Sequence, residues 1–459
     1  AQVTFSFDGS SFVGFEGDTL ASALLASGVQ LFGRSFKYHR PRGLVGSGSE
    51  EPNALISVSR GPGRFTPNLR ATNVDLYQGM EATSQNRWPS LKFDFGAIND
   101  RLGMFFPAGF YNKTFMWPRS FWEKLYEPAI RRMAGLGQAP TEVDPDHYAA
   151  TYAHCDVLII GAGPAGIDAA LEAAATNKRI ILIDEQDELG GGALSDPALW
   201  PWLDRSRKAL AASPNVTVLT RTTAFGYFHD NFIGAVERLT DHLADIGSGP
   251  REKLWRIRAG EVVLAQGAIE RPLVFDGNDT PGVMLASAAK VFALRYGVAV
   301  GQSVALMASH DSGWQDVFAM AKAGVGISAI IDVRDEVDAD LRAQAEELGI
   351  EARLGQSVIG VRGRHGVTAI EIARNDGGAT STLACDAVLM AGGWTPTVHL
   401  WSHSKGTLAW RDDLGAFVPE SKIRTYEVHP LVEAILDTDA EHIELLSMWA
   451  PNMTTVLGR

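Results

Sequence analysis

Three glycines with the spacing Gly-x-Gly-x-x-Gly follow directly on an apolar run at residues 155–160. Gly161 is expected to permit a tight turn from a strand into a helix, and Gly163 to let the backbone approach a pyrophosphate. Gly166 is expected to let that helix pack closely against the strand. The start of the helix would then offer backbone N–H groups and a partial positive charge to the phosphates. The spacing therefore predicts a phosphate-binding loop for a dinucleotide.

A carboxylate and a second glycine-rich turn follow this loop. Asp184 stands at the end of the next apolar run, 179–183, where it is expected to accept hydrogen bonds from the adenosine ribose hydroxyls. A carboxylate there would repel a 2′-phosphate, which favours NAD or FAD over NADP. The turn at 190–192 resembles the second phosphate-side loop of flavoproteins that bind two dinucleotides. The fingerprint alone does not separate NAD from FAD.

The elements needed to position these residues follow from the apolar periodicity. The run 155–160, an alanine-rich helical segment after Gly166 and the run 179–183 form a strand–helix–strand unit. Two further strands, at 262–268 and 386–393, end in small-residue turns. We interpret them as returning the chain to this first nucleotide domain, one on each side of an inserted second domain. The pattern predicts an α/β fold of the Rossmann-like, two-dinucleotide-binding flavoprotein type.

The inserted domain carries a weaker version of the same motif. The segment 302–313 occupies the position of a second fingerprint but lacks the first two glycines. We therefore expect this second site to be degenerate and the chain to bind one dinucleotide rather than two. His310 in this loop and His154 beside the first strand are expected to be structural rather than catalytic.

The first hundred residues predict a separate small module. Residues 3–7 and 11–15 alternate in polarity around a short turn, as in a hairpin, and a short helix follows at 19–27. This order is typical of a β-grasp module. Between 62 and 152 the chain is rich in aromatics, Pro and Gly without a lasting period, so we expect it to pack over a partner subunit or, alternatively, over another part of the chain.

Composition argues against several classes of function. The formal net charge of −13 argues against a nucleic-acid binder, and no run of about 20 apolar residues marks a membrane span. Cys155 and Cys385 are the only cysteines, too few for a disulfide framework, a four-thiolate iron–sulfur cluster or a cysteine zinc site, and they fit a reducing cytoplasm. The basic run 36–42 could hold a phosphate or an acidic neighbouring subunit, or be a solvated loop.

Several strings in the chain are more specific than the glycine fingerprint. They are Gly33–Gly43, Ser84–Ser90, Phe106–Pro118, Tyr152–Asp156 and Gly392–Pro396. On these strings, residues 1 to about 420 resemble the N-terminal, NAD-binding half of the α subunit of heterotetrameric sarcosine oxidase.

The resemblance implies a division of labour between subunits. In that family the β subunit carries FAD, covalently bound FMN and the amine-oxidation site, the α subunit binds NAD noncovalently, and smaller γ and δ subunits complete the complex. The implied reaction is oxidative demethylation of sarcosine to glycine, formaldehyde and hydrogen peroxide, with the flavin chemistry on the β partner. On this chain the NAD would be lined by Ala165, Asp184, Glu185, Gln186 and Gly192.

The first module resembles the two-iron ferredoxin-like domain of related amine dehydrogenases. Because the stretch 42–54 contains no cysteine, we expect the ferredoxin-like shape without the cluster. The expected domains are 1–100 (the β-grasp module), 101–152 (an aromatic-rich interface segment), 153–279 with 382–420 (the dinucleotide domain), 280–381 (the degenerate inserted domain) and 421–459 (a tail of unknown role).

No catalytic or metal-ligating residue is expected on this chain. The residues expected to bind the cofactor are Gly161, Gly163, Pro164, Ala165, Gly166, Asp184, Glu185, Gln186, Gly191, Gly192, Ala265 and Gly267. Two other functions stay open. One is a self-sufficient FAD/NAD-dependent oxidoreductase, in which FAD would occupy the fingerprint loop. The other is a non-catalytic scaffold subunit.

Overall fold

The computed structural model describes residues 1–105, 109, 117–378, 380–420 and 454–456. Its α-helices are α1 (Leu20–Ala26), α2 (Ile98–Arg101), α3 (Glu127–Met133), α4 (Pro164–Ala174), α5 (Trp200–Ala212), α6 (Ala286–Leu294), α7 (Asp311–Lys322), α8 (Ala339–Glu347) and α9 (His399–His403). Its strands are β1 (Gln2–Phe7), β2 (Ser10–Phe15), β3 (Gly33–Arg34), β4 (Pro41–Arg42), β5 (Leu55–Ser59), β6 (Phe65–Arg70), β7 (Glu81–Ser84), β8 (Tyr148–Ile160), β9 (Ile180–Ile183), β10 (Val216–Leu219), β11 (Thr222–Phe228), β12 (Phe232–Arg238), β13 (Glu252–Leu264), β14 (Ala268–Glu270), β15 (Val283–Leu285), β16 (Val304–Ala308), β17 (Ile327–Asp332), β18 (Glu351–Leu354), β19 (Gln356–Arg362), β20 (Ala369–Arg374), β21 (Ser381–Ala384), β22 (Ala387–Ala391), β23 (Trp394–Pro396), β24 (Leu408–Arg411), β25 (Ala416–Pro419) and β26 (Thr454–Val456).

Tertiary contacts divide the chain into two compact units. The first consists of Ala1–Pro145, His242–Ala244 and Pro272–Gly392. The second consists of Asp146–Asp241, Asp245–Arg271 and Gly393–Arg459. The N-terminal module and the inserted domain therefore belong to one unit, and the glycine fingerprint belongs to the other.

The N-terminal part of the first unit is a five-stranded sheet in the order β2-β1-β7-β5-β6. Strands β1 and β2 form the expected hairpin, and the alternating residues Val3, Phe5 and Phe7 are buried, as the polarity pattern requires. Helix α1 begins with a capping box in which Ser22 N donates to Thr19 Oγ1 at 3.1 Å and Thr19 N donates to Ser22 Oγ at 3.0 Å. A hairpin followed by a capped helix is what the sequence of this module predicts.

The rest of the first unit contains a parallel sheet in the order β15-β22-β16-β17-β18. The strand expected at 386–393 corresponds to β22, and the expectation that it returns the chain to the first nucleotide domain at about residue 382 is wrong. Strand β22 pairs with β15 on one side and β16 on the other, and both of these strands belong to the inserted domain. All residues of β22 are buried, so this strand needs neighbours on both edges and cover on both faces, which the middle of this sheet provides. An antiparallel sheet of β19, β20 and β21 lies in the same unit.

The second unit is built on a sheet in the order β10-β9-β8-β13-β12-β11. Strands β10, β9, β8 and β13 run parallel, and β12 and β11 continue the sheet antiparallel. Helix α4 connects β8 to β9, and α5 connects β9 to β10, as expected of consecutive strand–helix–strand units. After the inserted domain the chain re-enters this unit at β23, which pairs antiparallel with β14.

The aromatic-rich segment expected at 101–152 forms short helical turns and α3, with Met104 and Trp117 82% and 83% exposed. Parts of this segment, 106–108 and 110–116, lie outside the described residues, as do 421–453 and 457–459 of the tail. The expected packing of the segment against a partner subunit stays a prediction. Within the described ranges, no helix combines the length and the apolar character that a bilayer crossing demands.

Candidate functional site

The fingerprint loop lies between the end of β8 and the start of α4. Gly161 has φ +100°, a conformation that favours glycine, and a side chain there would collide with the carbonyl oxygen of Ala265. The loop is fixed to the neighbouring strands because Gly161 N donates to Ile183 O at 2.9 Å and Ala265 N donates to Ile160 O at 2.8 Å. The tight turn expected at Gly161 is therefore required by the protein's own packing.

The other two glycines of the fingerprint differ in what they meet. A side chain at Gly166 would collide with the carbonyl oxygen of Gly161 and come within 3.3 Å of Ala265 Cβ. Gly163 has φ −70°, which any residue adopts, and a Cβ built there would meet no atom within 4 Å. Neither backbone conformation nor internal packing thus requires glycine at position 163. A ligand lying against the loop would supply such a requirement.

The open space at Gly163 lies at the positive end of α4. Gly163 is the N-cap of this helix and Pro164 is its first residue, which has no N–H to leave unbonded. The N–H groups of Ala165 and Gly166 have no partner within the helix. The first turn contains no acidic residue that would oppose an anion. This helix start is therefore chemically suited to a diphosphate.

Asp184 braces the loop from the end of β9. Its Oδ2 accepts a hydrogen bond from Ala162 N at 2.6 Å, and its Oδ1 accepts one from Gln186 N at 2.8 Å. Its own backbone is fixed by Leu219 O and Thr222 N. The expected contact between this carboxylate and a ribose stays a prediction. The sequence pattern located this residue but not its two backbone partners.

Glu185 and Gln186 continue the loop that Asp184 anchors. Glu185 O accepts a hydrogen bond from Arg238 Nη2 at 2.9 Å, and Gln186 O accepts one from Arg221 N at 2.7 Å. Arg221 directly precedes β11 and Arg238 is the last residue of β12, and neither was among the residues expected at the site. Their contact depends on the pairing of those strands, for which the sequence carries no local signal.

The glycine-rich turn 190–192 packs directly against the fingerprint loop. Gly190 N donates to Ala162 O at 2.7 Å, and a Cβ at Gly191 would lie 2.9 Å from the Cα of Gly163. Gly191 has φ +51°. Arg207 on α5 also fixes this turn, because its Nε donates a hydrogen bond to Leu189 O at 3.1 Å. The structure thus brings the two predicted glycine-rich segments into contact.

The turn after β13 completes the site. Ala265 lies against Gly161, as described above, and Gly267 has φ +67° and accepts a hydrogen bond from Thr397 N at 3.0 Å. Between them, the Oε1 atom of Gln266 is buried without a hydrogen-bond partner among the described residues. Gln266 carries no sequence signal of a site residue, because it stands among small residues and has no charge.

The second fingerprint position, at the start of α7, is filled by side chains. The buried carboxylate of Asp332 accepts hydrogen bonds from Trp314 Nε1 at 2.8 Å and from Arg334 Nε and Nη2 at 3.0 and 2.8 Å. Arg334 Nη1 also donates to Asp311 Oδ1 at 2.6 Å, in the first turn of α7. An acidic side chain at a helix start disfavours a phosphate there. This geometry supports the expected degeneracy of the second site, which remains a prediction.

The basic run 36–42 meets carboxylates of the same unit. Arg40 Nε donates to Asp100 Oδ1 at 2.6 Å, and Arg42 Nη1 lies 2.5 Å from Asp279 Oδ2. Pairing of this kind satisfies the cations internally. It favours the interpretation of an ordinary surface loop over that of a phosphate site.

Profiles of two known protein families match two separate stretches of the chain. The profile of the pyridine nucleotide-disulphide oxidoreductase family matches residues 155–312, and the profile of 2Fe-2S iron-sulfur cluster binding domains matches residues 1–87. A solved structure, the L-proline dehydrogenase from P. horikoshii, is similar over 93% of this chain and 67% of its own, with a TM-score of 0.58 and 21% identity. The expected α/β dinucleotide-binding flavoprotein fold is confirmed.

Curated relatives point to a narrower family. The α subunit of sarcosine oxidase from Rhizobium meliloti (strain 1021) is 50% identical over 436 residues, which cover 93% of this chain and 43% of that protein. The chain therefore spans less than half the length of this relative. A stretch of 47 residues, 10% of the chain, is 49% identical to the beta6 subunit of a biotin-dependent acetyl-/propionyl-coenzyme A carboxylase from Mycobacterium tuberculosis (strain ATCC 25618 / H37Rv), of which it covers 10%.

Proposed function

We propose that this chain, which belongs to the family of sarcosine oxidase α subunits, is the NAD-binding subunit of a sarcosine oxidase complex. In this proposal the complex demethylates sarcosine oxidatively to glycine, formaldehyde and hydrogen peroxide. The FAD, the FMN and the amine-oxidation site lie on a β partner, and γ and δ subunits complete the heterotetramer. The role of this chain is to hold one dinucleotide at the fingerprint loop.

The observation that carries the proposal is the space at Gly163. Two glycines of the fingerprint, Gly161 and Gly166, are required by contacts within the protein, whereas a side chain at Gly163 would meet nothing. The loop is nevertheless braced on both sides, by Asp184 and by the turn at Gly190. A rigid loop with open space at a helix start is the arrangement that lets a diphosphate approach the backbone.

Five of the predicted residues have a specific task in the proposed bound state. The N–H groups of Ala165 and Gly166 would bond the diphosphate, and Gly191 would let the second glycine-rich turn lie against Gly163 with no side chain between them. The acidic pair of Asp184 and Glu185 would bind the adenosine ribose and disfavour the extra 2′-phosphate of NADP. NAD, when bound, brings a nicotinamide ring able to accept or donate a hydride.

FAD in the same loop is the second candidate. The loop recognises an adenine dinucleotide by its diphosphate and ribose, which NAD and FAD share. The family profile matched by residues 155–312 belongs to oxidoreductases, and this favours a redox cofactor in either case. The third candidate is a scaffold subunit that binds no ligand, and it gives no reason for the open space at Gly163.

Calorimetric titration of the full chain with NAD, FAD and NADP separates these candidates. We expect one NAD per chain, NADP about tenfold weaker because of repulsion at its 2′-phosphate, and a melting temperature that rises as NAD saturates the site. A purified chain that is yellow and carries one tightly held FAD would replace the proposal by the FAD candidate. Neither heat nor a melting shift with any of the three at millimolar concentration would leave only the scaffold.

A further inference from the structure

The loop between β4 and β5 is where the iron–sulfur family profile and this chain disagree. The profile matched by residues 1–87 describes domains that bind a 2Fe-2S cluster. Clusters of that kind are held mainly by cysteine thiolates, and residues 1–87 contain no cysteine. The two cysteines of the chain, Cys155 and Cys385, lie outside this stretch, and both are buried. The donor set present in the module therefore does not fit the cluster.

A buried carboxylate sits inside this loop instead. The side chain of Glu51 is inaccessible to solvent, and its Oε2 accepts hydrogen bonds from Val45 N at 2.7 Å and Gly46 N at 2.8 Å. Its Oε1 accepts bonds from Asn53 N at 2.6 Å and Ala54 N at 3.1 Å. Four backbone N–H groups from both arms of the loop thus converge on one side chain.

The hydrogen-bond pattern identifies the ionised form of Glu51. A carboxylate offers two lone pairs on each oxygen, and here each oxygen accepts two N–H bonds. Burial raises the pKa of Glu51, and the four N–H donors oppose that rise. A proton on either oxygen would occupy a lone pair that already accepts an N–H bond, so the charged form is the one that fits the cavity.

The neighbouring Glu50 organises the tip of the same loop. Its Oε1 accepts hydrogen bonds from Ser47 N at 2.7 Å and Gly48 N at 2.9 Å. A Cβ at Gly46 would lie 2.5 Å from this carboxylate oxygen, so the acidic side chain occupies the space beside the glycine. Successive backbone N–H groups that converge in this way form an anion-binding concavity, the arrangement that also surrounds many iron–sulfur clusters.

We propose that the Glu51 carboxylate replaces an iron–sulfur cluster as the anion that organises the 43–54 loop of the N-terminal module. The backbone keeps its converging N–H groups, and an internal side chain supplies the negative charge that a cluster would otherwise bring. The module is then a structural part of the subunit and carries no electrons. This inference does not depend on which dinucleotide occupies the fingerprint loop.

The organised loop has a second consequence, because it contacts the inserted domain within the same unit. Val45 O accepts a hydrogen bond from Leu285 N at 2.9 Å, at the end of β15. A side chain at Gly43 would come within 2.8 Å of the Cα of Pro281, so the two backbones pass closely. Because Glu51 fixes Val45 and Gly46 directly, it also positions this contact.

Hydrogen exchange of the chain tests the proposal at the level of individual amides. In Glu51→Gln the side-chain NH₂ would face two of the four donors, so we expect the amides of Val45, Gly46, Asn53 and Ala54 to exchange about tenfold faster or more. The matched variant Glu50→Gln should accelerate Ser47 and Gly48 while leaving those four slow. Unchanged exchange at both loop arms in Glu51→Gln would overturn the proposal.

Two further measurements keep the test decisive if Glu51→Gln does not accumulate in folded form. In the wild-type protein, the four amides bonded to Glu51 should be more protected than those of Ser47 and Gly48, and equal protection would contradict the proposal. After anaerobic incubation of the full chain with iron and sulfide, we expect no cluster absorbance and no retained iron. Two irons and two sulfides retained per chain would overturn it.

Discussion

At the scale of single residues, the three fingerprint glycines do different work. Gly161 needs glycine for its φ of +100°, and Gly166 needs it because of the Gly161 carbonyl. Gly163 is free of both constraints. The sequence motif predicts all three positions equally, and only the surrounding atoms separate the glycines that serve packing from the one that serves a ligand.

This difference leads to a prediction for Gly163→Ala. The substitution should leave the melting temperature of the ligand-free chain unchanged, because the new methyl group meets no protein atom within 4 Å. It should weaken NAD binding about tenfold, or about 1.4 kcal/mol, because the methyl group occupies the space of the diphosphate. Calorimetric titration and a thermal melt measure the two effects.

Two glycine variants serve as controls for that prediction. Gly249→Ala, also built into open space in the second unit, should change neither quantity. Gly161→Ala should destabilise the ligand-free protein by at least about 1 kcal/mol, because alanine is strained at positive φ. If Gly163→Ala binds NAD like the wild-type chain, the diphosphate does not lie against this loop.

Asp184 and Glu51 differ in how much of their role could be predicted from the sequence. Asp184 could be located as the acid that ends the second strand, but its bonds to Ala162 and Gln186 depend on the loop conformation. Glu51 gave no signal, since an acidic residue in a polar loop normally reaches solvent. Its role depends on four backbone N–H groups that converge only in the folded chain.

At the scale of elements, the strand–helix–strand unit of β8, α4 and β9 follows from apolar periodicity and glycine spacing, and the structure contains it. The assignment of β22 was wrong because a buried parallel strand has the same apolar composition in either of two sheets. Sequence periodicity identifies such a strand but does not say which neighbours it pairs with. Only the structure shows that the chain returns to the first nucleotide domain at β23.

The start of α7 allows a prediction at this scale. Asp332→Asn removes the charge that Trp314 and Arg334 share at the end of β17, and we expect a loss of about 2 kcal/mol in the free energy of unfolding of this domain. NAD affinity should not change, because the residues proposed to bind the dinucleotide include no member of this network. Urea unfolding followed by tryptophan fluorescence, together with calorimetric titration, measures both.

An exposed acid on the same domain controls for the loss of charge. Glu336→Gln should leave both the unfolding free energy and the NAD affinity unchanged, as expected for surface substitutions. A clear loss of NAD binding in Asp332→Asn without unfolding would place a nucleotide at the second fingerprint position. The expected degeneracy of that site would then be wrong.

At the scale of the whole molecule, family-specific strings predicted more than general physical patterns did. Strings such as Gly33–Gly43 and Gly392–Pro396 indicated the sarcosine oxidase α-subunit family, and the R. meliloti relative confirms it with 50% identity over 93% of the chain. Charge and composition only excluded classes of function. General sequence patterns could not identify the partner subunits, because the residues of a partner-binding surface do not recur with a regular period in the sequence.

Hydrogen exchange of the full chain with and without saturating NAD shows where the nucleotide binds. We predict that NAD slows exchange in peptides covering 161–167 and 184–192, where the loop amides would bond the diphosphate and the acidic residues the ribose. The peptide covering 309–313, at the second fingerprint position, should exchange at the same rate in both states. Protection of 309–313 with none at 161–167 would contradict the account.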